Sequence, residues 1–397
     1  MIIRKSTIAF IILSIALVYT ISPWFFEKKL LFNEILSFIG LVLLAYHQFK
    51  IEKDPVIISV LLLIAWGLVQ MIFSLLWMDS FYYLLRNSVI VYSMFGFFLG
   101  YFCFKYLPSF IEKIRTLLQV YITILLAIPV SKFYFERFGM AVLFPALFRK
   151  AGRWTLPLLI LLNLLYGIQY QSATAVLIAL LFCLLFIIKE FKFFLAFTAI
   201  ALLVFMVFFF SIQPNLNIIR IGYSPYSDAA IHRVMDSHPI LSLDGNSTWR
   251  LVLWKQVLVD QFPKNLLGIG FGTPMYKYFP VEEEAKIKSL PYVLGAHNSF
   301  IYLFGRLGLV YLILIGIIYY EVFREYFLFK DYYYKNSHIF LFWSFLSSTV
   351  IALVNPALES PIYAAGYWIL LGFLARVIYI RRNSSKHQTL RENIVYP

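Results

Sequence analysis

Residues 55–77 read PVIISVLLLIAWGLVQMIFSLLW, a run without a single charged side chain. About 20 apolar residues in a helix cross the roughly 30 Å hydrocarbon core of a bilayer. This run therefore predicts a transmembrane helix. Further runs of the same kind lie near residues 6–26, 30–49, 84–104, 116–131, 154–169, 172–188, 192–212, 297–320, 338–355 and 362–379. The sequence predicts an all-α polytopic membrane protein.

The composition of the whole chain supports this fold class. Of its 397 residues, 61% are hydrophobic and only 14% are charged, whereas soluble domains carry roughly 25% charged residues. The net charge of +14 comes from short basic clusters between apolar runs, as the positive-inside rule predicts, and not from a nucleic-acid-binding surface. Cys103 and Cys183 both lie inside apolar runs. They predict neither a disulfide framework nor a metal site.

If each of the eleven runs crosses the membrane once and both chain ends face the cytoplasm, a twelfth crossing is needed, because the number of crossings must be even. The weakly apolar segment 133–148 supplies it. We therefore expect about 12 transmembrane helices in three parts: N-terminal helices over 1–212, a large periplasmic or extracellular loop over 213–296, and C-terminal helices with a cytoplasmic tail over 297–397. Most Lys and Arg residues in short connecting segments then fall on the inner side, which agrees with the positive-inside rule.

The large loop has features of an ordered segment. Asn246-Ser247-Thr248 can cap a helix, and the following run from Trp249 to Phe262 ends before a proline. In such a helix, Arg250 and Trp254 lie four residues apart on one face. We expect the loop to contain short helices of this kind.

His297 lies where the loop meets the next apolar run, at the outer boundary of the membrane. A histidine near a helix N-terminus is kept neutral by the positive end of the helix dipole. Neutral imidazole can accept a proton from an attacking hydroxyl. The alternative is that His297 is an ordinary polar residue at the membrane interface.

Two motifs in this region resemble the O-antigen ligase and polymerase family of bacterial membrane glycosyltransferases. The first is His297-Asn298, nine residues, Gly308, two residues and Tyr311; the second is Arg250-x-x-x-Trp254, followed by Pro263 and by Gly268-Ile269-Gly270-Phe271-Gly272. Together they cover residues 246–311. Their order, their spacing and their predicted outer location make the resemblance specific.

This resemblance implies an inverting, metal-independent transfer of a glycan from undecaprenyl diphosphate to an acceptor hydroxyl, with no cofactor. It also implies a multi-pass protein of the bacterial inner membrane whose active site faces the periplasm or exterior. His297 would then be catalytic, while Arg250 and Asn298 would bind substrate. Arginine suits the diphosphate leaving group because its charge is permanent and its donors are paired. The acceptor is either a lipid A–core, as in a ligase, or another lipid-linked repeat unit, as in a polymerase.

One part of the family pattern is missing. Family members often carry a second arginine at the outer start of an earlier helix, where this chain has Ser172-Ala173. Arg220 or Arg233 in the loop could replace it, although both could be ordinary loop charges. Arg306 is a further candidate for substrate binding because a charge inside a membrane helix is costly. Its alternative is to reach the interface by snorkelling.

Other interpretations remain open from the sequence. Gly268-x-Gly270-x-Gly272 could cradle a phosphate but is more typical of a turn. Glu359, between the last two helices, could reach the site from the outer side, but it is interpreted as a solvated turn carboxylate. A transporter or lipid flippase also fits the hydropathy, but the internal repeats and broken midplane helices of that class are not evident. A membrane scaffold gives no reason for His297 and Arg250 to stand at the family's spacing.

Overall fold

A computed structural model describes residues 5–21, 32–48, 52–127, 152–169, 172–211, 298–360 and 364–395, together with residues 250, 254, 257–258, 265–273 and 275 of the loop. Apart from one 3-10 turn at Phe104–Tyr106, every regular element within these ranges is an α-helix or a short π-helical stretch. The α-helices are α1 (Lys5–Ile21), α2 (Phe32–Tyr46), α3 (Pro55–Ser74), α4 (Phe81–Asn87), α5 (Val89–Ser93), α6 (Gly96–Cys103), α7 (Leu107–Ala127), α8 (Thr155–Gln169), α9 (Ala173–Ile187), α10 (Phe191–Ser211), α11 (Ser299–Leu328), α12 (Lys330–Lys335), α13 (Ile339–Val354) and α14 (Ala364–Val395).

All eleven predicted apolar runs coincide with helix, so the all-α fold class is confirmed. Among the described residues, four helical segments are long and apolar enough to cross a membrane: Pro55–Ser74, Phe81–Leu117, Ser299–Leu328 and Ala364–Ser384. Six of the other runs form shorter apolar helices of 10–17 residues, and the run over 116–131 falls on α7, which is described to Ala127. The segment 133–148 lies outside the described residues, and the count of twelve crossings stays a prediction.

The run over residues 84–104 differs from the single helix that its hydropathy predicts. It is divided into α4, α5 and α6, with turns at Ser88 and at Met94 and Phe95. The Ser88 hydroxyl donates to the carbonyl of Leu85 at 2.8 Å, and a serine that bonds the preceding helical turn bends a helix. The turn residues keep right-handed helical dihedrals, so the segment still counts as one candidate span.

The centre of the bundle is held by close backbone contact between α6 and α14. A Cβ atom at Gly100 would overlap the carbonyl of Ile369, and one at Gly372 would overlap the carbonyl of Phe97. Small residues allow membrane helices to approach in this way, and the close approach gains van der Waals contact. On the other side of α6, Gly40 of α2 meets the carbonyl of Phe95. These glycines set the positions of three helices.

The helices define two ends of the molecule. One end, here called the loop end, contains the C-terminus of α3, helix α4, the loop residues 265–273, the N-terminus of α11 and the turn 355–360. The opposite end, here called the ionic end, contains the N-terminus of α3, the last turns of α11 and residues 376–382 in the middle of α14. Under the predicted topology, the loop end faces outward.

The ionic end is a network of salt bridges that joins α3, α11 and α14. Glu325 contacts both Arg381 and Arg382, and Arg382 also bonds Asp54 at 2.7 Å and Glu321 at 2.6 Å. A second pair, Arg376 with Glu52 at 2.6 Å, extends the network, while Arg324 lies 3.7 Å from Glu321. Beyond residue 379, α14 continues through these arginines to Val395, and the cytoplasmic location of this tail stays a prediction.

Candidate functional site

Helix α11 is broken at Gly308, the glycine of the predicted family motif. Its φ of 67° and ψ of −154° lie in a region that only glycine adopts readily. The break removes helical donors from preceding carbonyl groups, and such groups must find new partners at membrane depth. Three carbonyls of α11 accept replacement hydrogen bonds: Gly305 O from Ile269 N (3.0 Å), Arg306 O from Gly270 N (3.1 Å) and Leu307 O from Trp66 Nε1 (2.8 Å). After the break, Leu309 N donates to Leu266 O (2.9 Å).

The glycine-rich stretch of the loop is therefore a turn packed against the broken helix. Four successive N–H groups are occupied by protein acceptors: Gly268 N by Asn265 O, Ile269 N by Gly305 O, Gly270 N by Arg306 O and Phe271 N by Ser74 Oγ. A phosphate cradle needs free N–H groups. This stretch serves instead to fix the loop to α3 and α11.

Arg306 lies inside this junction and is only 1% exposed. Its Nη1 donates to the carbonyls of Gly270 at 3.0 Å and Thr273 at 2.6 Å, and Nη2 donates to the Tyr302 hydroxyl at 3.1 Å. Its Nε atom is buried without a hydrogen-bond partner among the described residues. Arg306 is thus enclosed and does not snorkel, and the contacts give it an anchoring role. Substrate binding by Arg306 stays a prediction.

Asn298 begins α11 as its N-cap. Its Oδ1 accepts from the N–H groups of Phe300 and Ile301, each at 3.0 Å, which satisfies two of the free donors of the first helical turn. Asn298 is 5% exposed. His297 precedes it directly in the chain but lies outside the described residues, as do Arg220 and Arg233.

The next residue, Ser299, ties the start of α11 to the turn after α13. Its hydroxyl accepts from the N–H groups of Ala357 at 2.9 Å and Leu358 at 3.0 Å, and it lies within donating distance of the Asn355 carbonyl and the Glu359 carboxyl group. The turn is therefore fixed to the position that follows the His297-Asn298 pair.

Glu359 is buried in this turn, so its interpretation as a solvated carboxylate was wrong. It is 4% exposed, and its Oε1 has no hydrogen-bond partner within the described part of the chain. Burial raises the pKa of Glu359 to about 7, although the hydrogen bond with Ser299 and the charge of Arg86 act in the opposite direction. The protein thus holds a titratable carboxyl group at the N-terminus of α11.

Two arginines from distant parts of the sequence bind the same turn. Arg250 Nη1 donates to the carbonyl of Val354 at 2.9 Å, and Arg86 Nη1 donates to the main-chain carbonyl of Glu359 at 2.8 Å. Arg250 is helical, as is Trp254. The predicted substrate-binding arginine and the start of α11 therefore meet at residues 354–359.

The position where the family pattern expects a second arginine lies beside the same turn. Ser172 caps α9 by accepting from Ala175 N at 3.3 Å, and Thr174 Oγ1 lies 3.5 Å from Asn355 Nδ2. The chain thus lacks an arginine at a location that borders the site. Arg86, from α4, binds another part of the same turn at the carbonyl of Glu359.

In the described part of the loop end, two arginines form no ion pair, although the Glu359 carboxyl group interacts with the charge of Arg86. The guanidinium groups of Arg86 and Arg306 bind carbonyl and hydroxyl oxygens, and neither forms an ion pair with a described residue. A carbonyl satisfies a hydrogen-bond donor but does not cancel its charge. An anionic ligand is the partner that such a site favours.

Arg86 and Glu359 are the residues that sequence reasoning did not select. A signal existed for Arg86, because an ionisable residue in an apolar run is a functional candidate in a membrane protein. Glu359 stands between two prolines, Pro356 and Pro361, which gave no indication of its burial.

Comparison with known protein families agrees with this geometry. Residues 156–316 match the model of the family described as O-Antigen ligase. This range includes Arg250, His297 and Gly308, so the family resemblance predicted from residues 246–311 is confirmed. No curated protein and no solved structure matches the chain.

Proposed function

Residues 156–316 carry the domain of the O-antigen ligase family, and from this premise we propose that the protein is an inner-membrane glycosyltransferase that moves a glycan from undecaprenyl diphosphate to an acceptor hydroxyl. The family assignment implies ligase-type or polymerase-type activity in surface polysaccharide synthesis. The proposal adds the donor, a site at the loop end facing the periplasm or exterior, and an inverting reaction that uses no metal ion.

The observation that carries the proposal is the convergence of two arginines on the turn that holds the start of α11. Arg250 and Arg86 donate to carbonyls five residues apart, at Val354 and Glu359. When the bond between sugar and phosphate breaks, negative charge develops on the diphosphate. Fixed guanidinium groups stabilise that charge without having to reorganise. We assign Arg250 and Arg86 to the diphosphate, with Arg86 replacing the family arginine that this chain lacks.

Activation of the acceptor is assigned to His297. In the chain it stands one residue before Asn298, whose cap fixes the N-terminus of α11. The helix dipole there favours neutral imidazole, which is the form that can take the acceptor proton. Its lone pair would accept the hydroxyl proton as the oxygen bonds the sugar carbon from the face opposite the departing diphosphate, and the sugar configuration therefore inverts.

Glu359 supports the same site as a positioning residue. It contacts Ser299, which follows the His297-Asn298 pair, and its backbone carbonyl binds Arg86. A single buried residue thus links the proposed base segment with a proposed diphosphate ligand. Displacement of this turn would move both groups.

The test is glycan transfer by the purified full-length protein from a lipid-diphosphate-linked glycan. His297→Ala and Arg250→Ala are expected to abolish product formation while the protein is still expressed and keeps its melting temperature in detergent. Arg153→Ala, which removes an exposed arginine on the predicted inner side, is the matched control and is expected to retain activity. Full activity of both site variants would refute the assigned roles.

The same assay separates the two reactions of the family. Product on a lipid A–core acceptor indicates a ligase, and product on a second lipid-linked repeat unit indicates a polymerase. Gene deletion gives an independent readout, because loss of a ligase leaves lipid-linked polymer whereas loss of a polymerase leaves single repeat units.

A further inference from the structure

A second candidate site lies at the ionic end, away from the proposed glycan-transfer site. A cavity of about 260 Å³ opens between the N-terminal half of α1 and the beginning of α7. The residues that line it are Ser6, Thr7, Phe10, Ile11, Leu13, Tyr106, Ser109, Phe110 and Lys113. None of them has a role in the proposed reaction.

The cavity combines an apolar interior with a polar rim. Phe10 and Phe110 pack edge to face, with ring centroids 5.0 Å apart. The hydroxyls of Ser6, Thr7 and Ser109 and the ammonium group of Lys113 supply the polar atoms. A ligand that matches this lining has a polar, anionic group joined to hydrocarbon.

Three lysines give the region its positive charge. Lys113 lies 5.3 Å from the ring centroid of Phe10, Lys105 lies 4.8 Å from that of Tyr106, and Lys5 lies 5.7 Å from that of Tyr46. Among the described residues, none of these lysines forms an ion pair.

Acidic groups near the lysines reduce the positive field only in part. The pKa of His47 is lowered chiefly by burial and then by Lys105; Glu52 opposes this shift, and Lys5 adds a smaller lowering effect. Glu112 on α7 is paired with Arg115 at 3.2 Å, and Glu52 is engaged by Arg376. The nearby carboxylates are therefore committed to other partners.

The size and position of the cavity restrict the ligand further. Its volume is below the roughly 300–1,000 Å³ of pockets that enclose drug-sized molecules, so it can hold a headgroup but not the acyl chains. Ile8 of α1, outside the cavity, is 45% exposed, and Ile11, which lines it, is 52% exposed. They offer an apolar surface on which acyl chains can lie.

We propose that this cavity binds the phosphate headgroup of an anionic phospholipid whose acyl chains lie along α1. Basic pockets between membrane helices recognise lipid phosphates in this manner. A free phosphate ion has no hydrocarbon to pack against the aromatic side chains of the cavity. A zwitterionic lipid carries an added positive charge that the lysines repel. The assignment requires only that the ionic end lies at a membrane surface.

The test measures lipid bound to the delipidated full-length protein by native mass spectrometry, with phosphatidylglycerol and phosphatidylcholine of identical acyl chains. Phosphatidylglycerol is expected to bind more tightly. Lys105→Gln with Lys113→Gln is expected to weaken that binding by roughly fivefold for each lysine removed. Lys335→Gln, which removes an exposed lysine on α12 away from the cavity, is the matched control and is expected to change binding by less than roughly twofold.

A variant without a charge change separates a shaped site from general surface attraction. Thr7→Phe places a ring into the cavity from an exposed helical position and is expected to reduce phosphatidylglycerol binding while the melting temperature without lipid is retained. Equal losses in the Lys335→Gln and Lys105→Gln/Lys113→Gln proteins would overturn the proposal. So would unchanged binding in Thr7→Phe, or displacement of the lipid by an equal concentration of inorganic phosphate.

Discussion

The two ends of the molecule use arginine in opposite ways. At the ionic end, Arg381 and Arg382 bind the carboxylates of Glu325, Glu321 and Asp54. At the loop end, Arg86 and Arg306 bind backbone carbonyls. The first arrangement neutralises charge within the protein, whereas the second holds each guanidinium group by neutral oxygen atoms.

The difference agrees with the anionic donor that we propose for the loop end. A charge taken out of water without a counter-ion costs free energy, and a diphosphate bound beside Arg86 would supply that counter-ion. The network at the ionic end serves to lock α3, α11 and α14 together.

The largest effect, on the free energy of unfolding, is expected from disrupting the salt-bridge network at the ionic end. Glu325 is 3% exposed and binds two arginines. Glu325→Gln takes the carboxylate from Arg381, while Arg382 keeps Asp54 and Glu321. Breaking a buried pair in this way costs about 3–5 kcal/mol. The measurement is thermal unfolding in detergent, with glycan transfer assayed on the protein that remains folded.

The control is Glu190→Gln, which removes a carboxylate that is 57% exposed and paired with Lys192. Exposed pairs contribute about 0–1 kcal/mol, so its melting temperature should stay close to that of the unmodified protein. A stable Glu325→Gln protein that had lost transfer activity would contradict the division between the two ends.

The opposite outcome is expected for Arg86. Arg86→Ala removes one hydrogen bond to a carbonyl and one charge from the proposed diphosphate site. Loss of one fixed electrostatic stabiliser lowers turnover by roughly 10²–10³-fold, or about 3–4 kcal/mol. Initial rates of glycan transfer measure the effect. Arg86→Lys should recover part of the activity because it restores the charge.

The matched arginine at the ionic end is Arg324, whose side chain is 48% exposed beside Glu321. Arg324→Ala should leave the transfer rate within roughly twofold, because a half-exposed surface pair contributes little. If Arg86→Ala turned over as fast as Arg324→Ala, Arg86 would be a structural residue and the site would lack its proposed second cation.

The helices could be predicted from sequence because their signal is local. A run of about 20 apolar residues reports a membrane helix irrespective of its neighbours, and α3 and α13 end within three residues of the predicted limits. The division of 84–104 into three helices could not be predicted from the local sequence. Beside the first turn, the Asn87 side chain bonds the carbonyl of Phe271 and the hydroxyl of Tyr302. Those partners are 184 and 215 positions away in the sequence.

Residues of the candidate site could be predicted from the sequence only where they belong to a family motif. The spacing from His297 to Gly308 indicated the family, yet it could not show that Gly308 breaks the helix and receives the loop turn. Glu359 and Arg86 belong to the site through contacts with partners 60 and 273 positions away. Local hydropathy and charge contain no information about such contacts, so the burial of Glu359 was predicted wrongly.

The pH dependence of stability tests the burial of Glu359. Burial raises the pKa of its carboxyl group from 4.5 to about 7, so the folded protein favours the protonated form. Its contribution is complete below about pH 4.5 and is lost as the pH rises through about 7, a change of about 3 kcal/mol. Glu359→Gln mimics the neutral form and should remove this loss. Melting temperatures at pH 5 and pH 8 measure it.

Glu112→Gln provides the comparison at the ionic end, where the carboxylate is 58% exposed. This variant should keep the pH dependence of the unmodified protein. If Glu359→Gln and the unmodified protein lost stability in parallel between pH 5 and pH 8, the carboxyl group would be ionised throughout that range, and the loop end would not hold a neutral acid.

The smallest effect is expected at Asn298, where capping and substrate binding make different predictions. Asn298→Ala removes the acceptor for two N–H groups and should cost about 1 kcal/mol of stability. Asn298→Ser keeps a capping oxygen and should restore the melting temperature. If Asn298 acts only as a cap, Asn298→Ser also restores glycan transfer. If its amide binds substrate as well, glycan transfer by Asn298→Ser stays low while stability recovers. Asn298 would then be a polar substrate-binding residue of the loop end, in addition to the arginines.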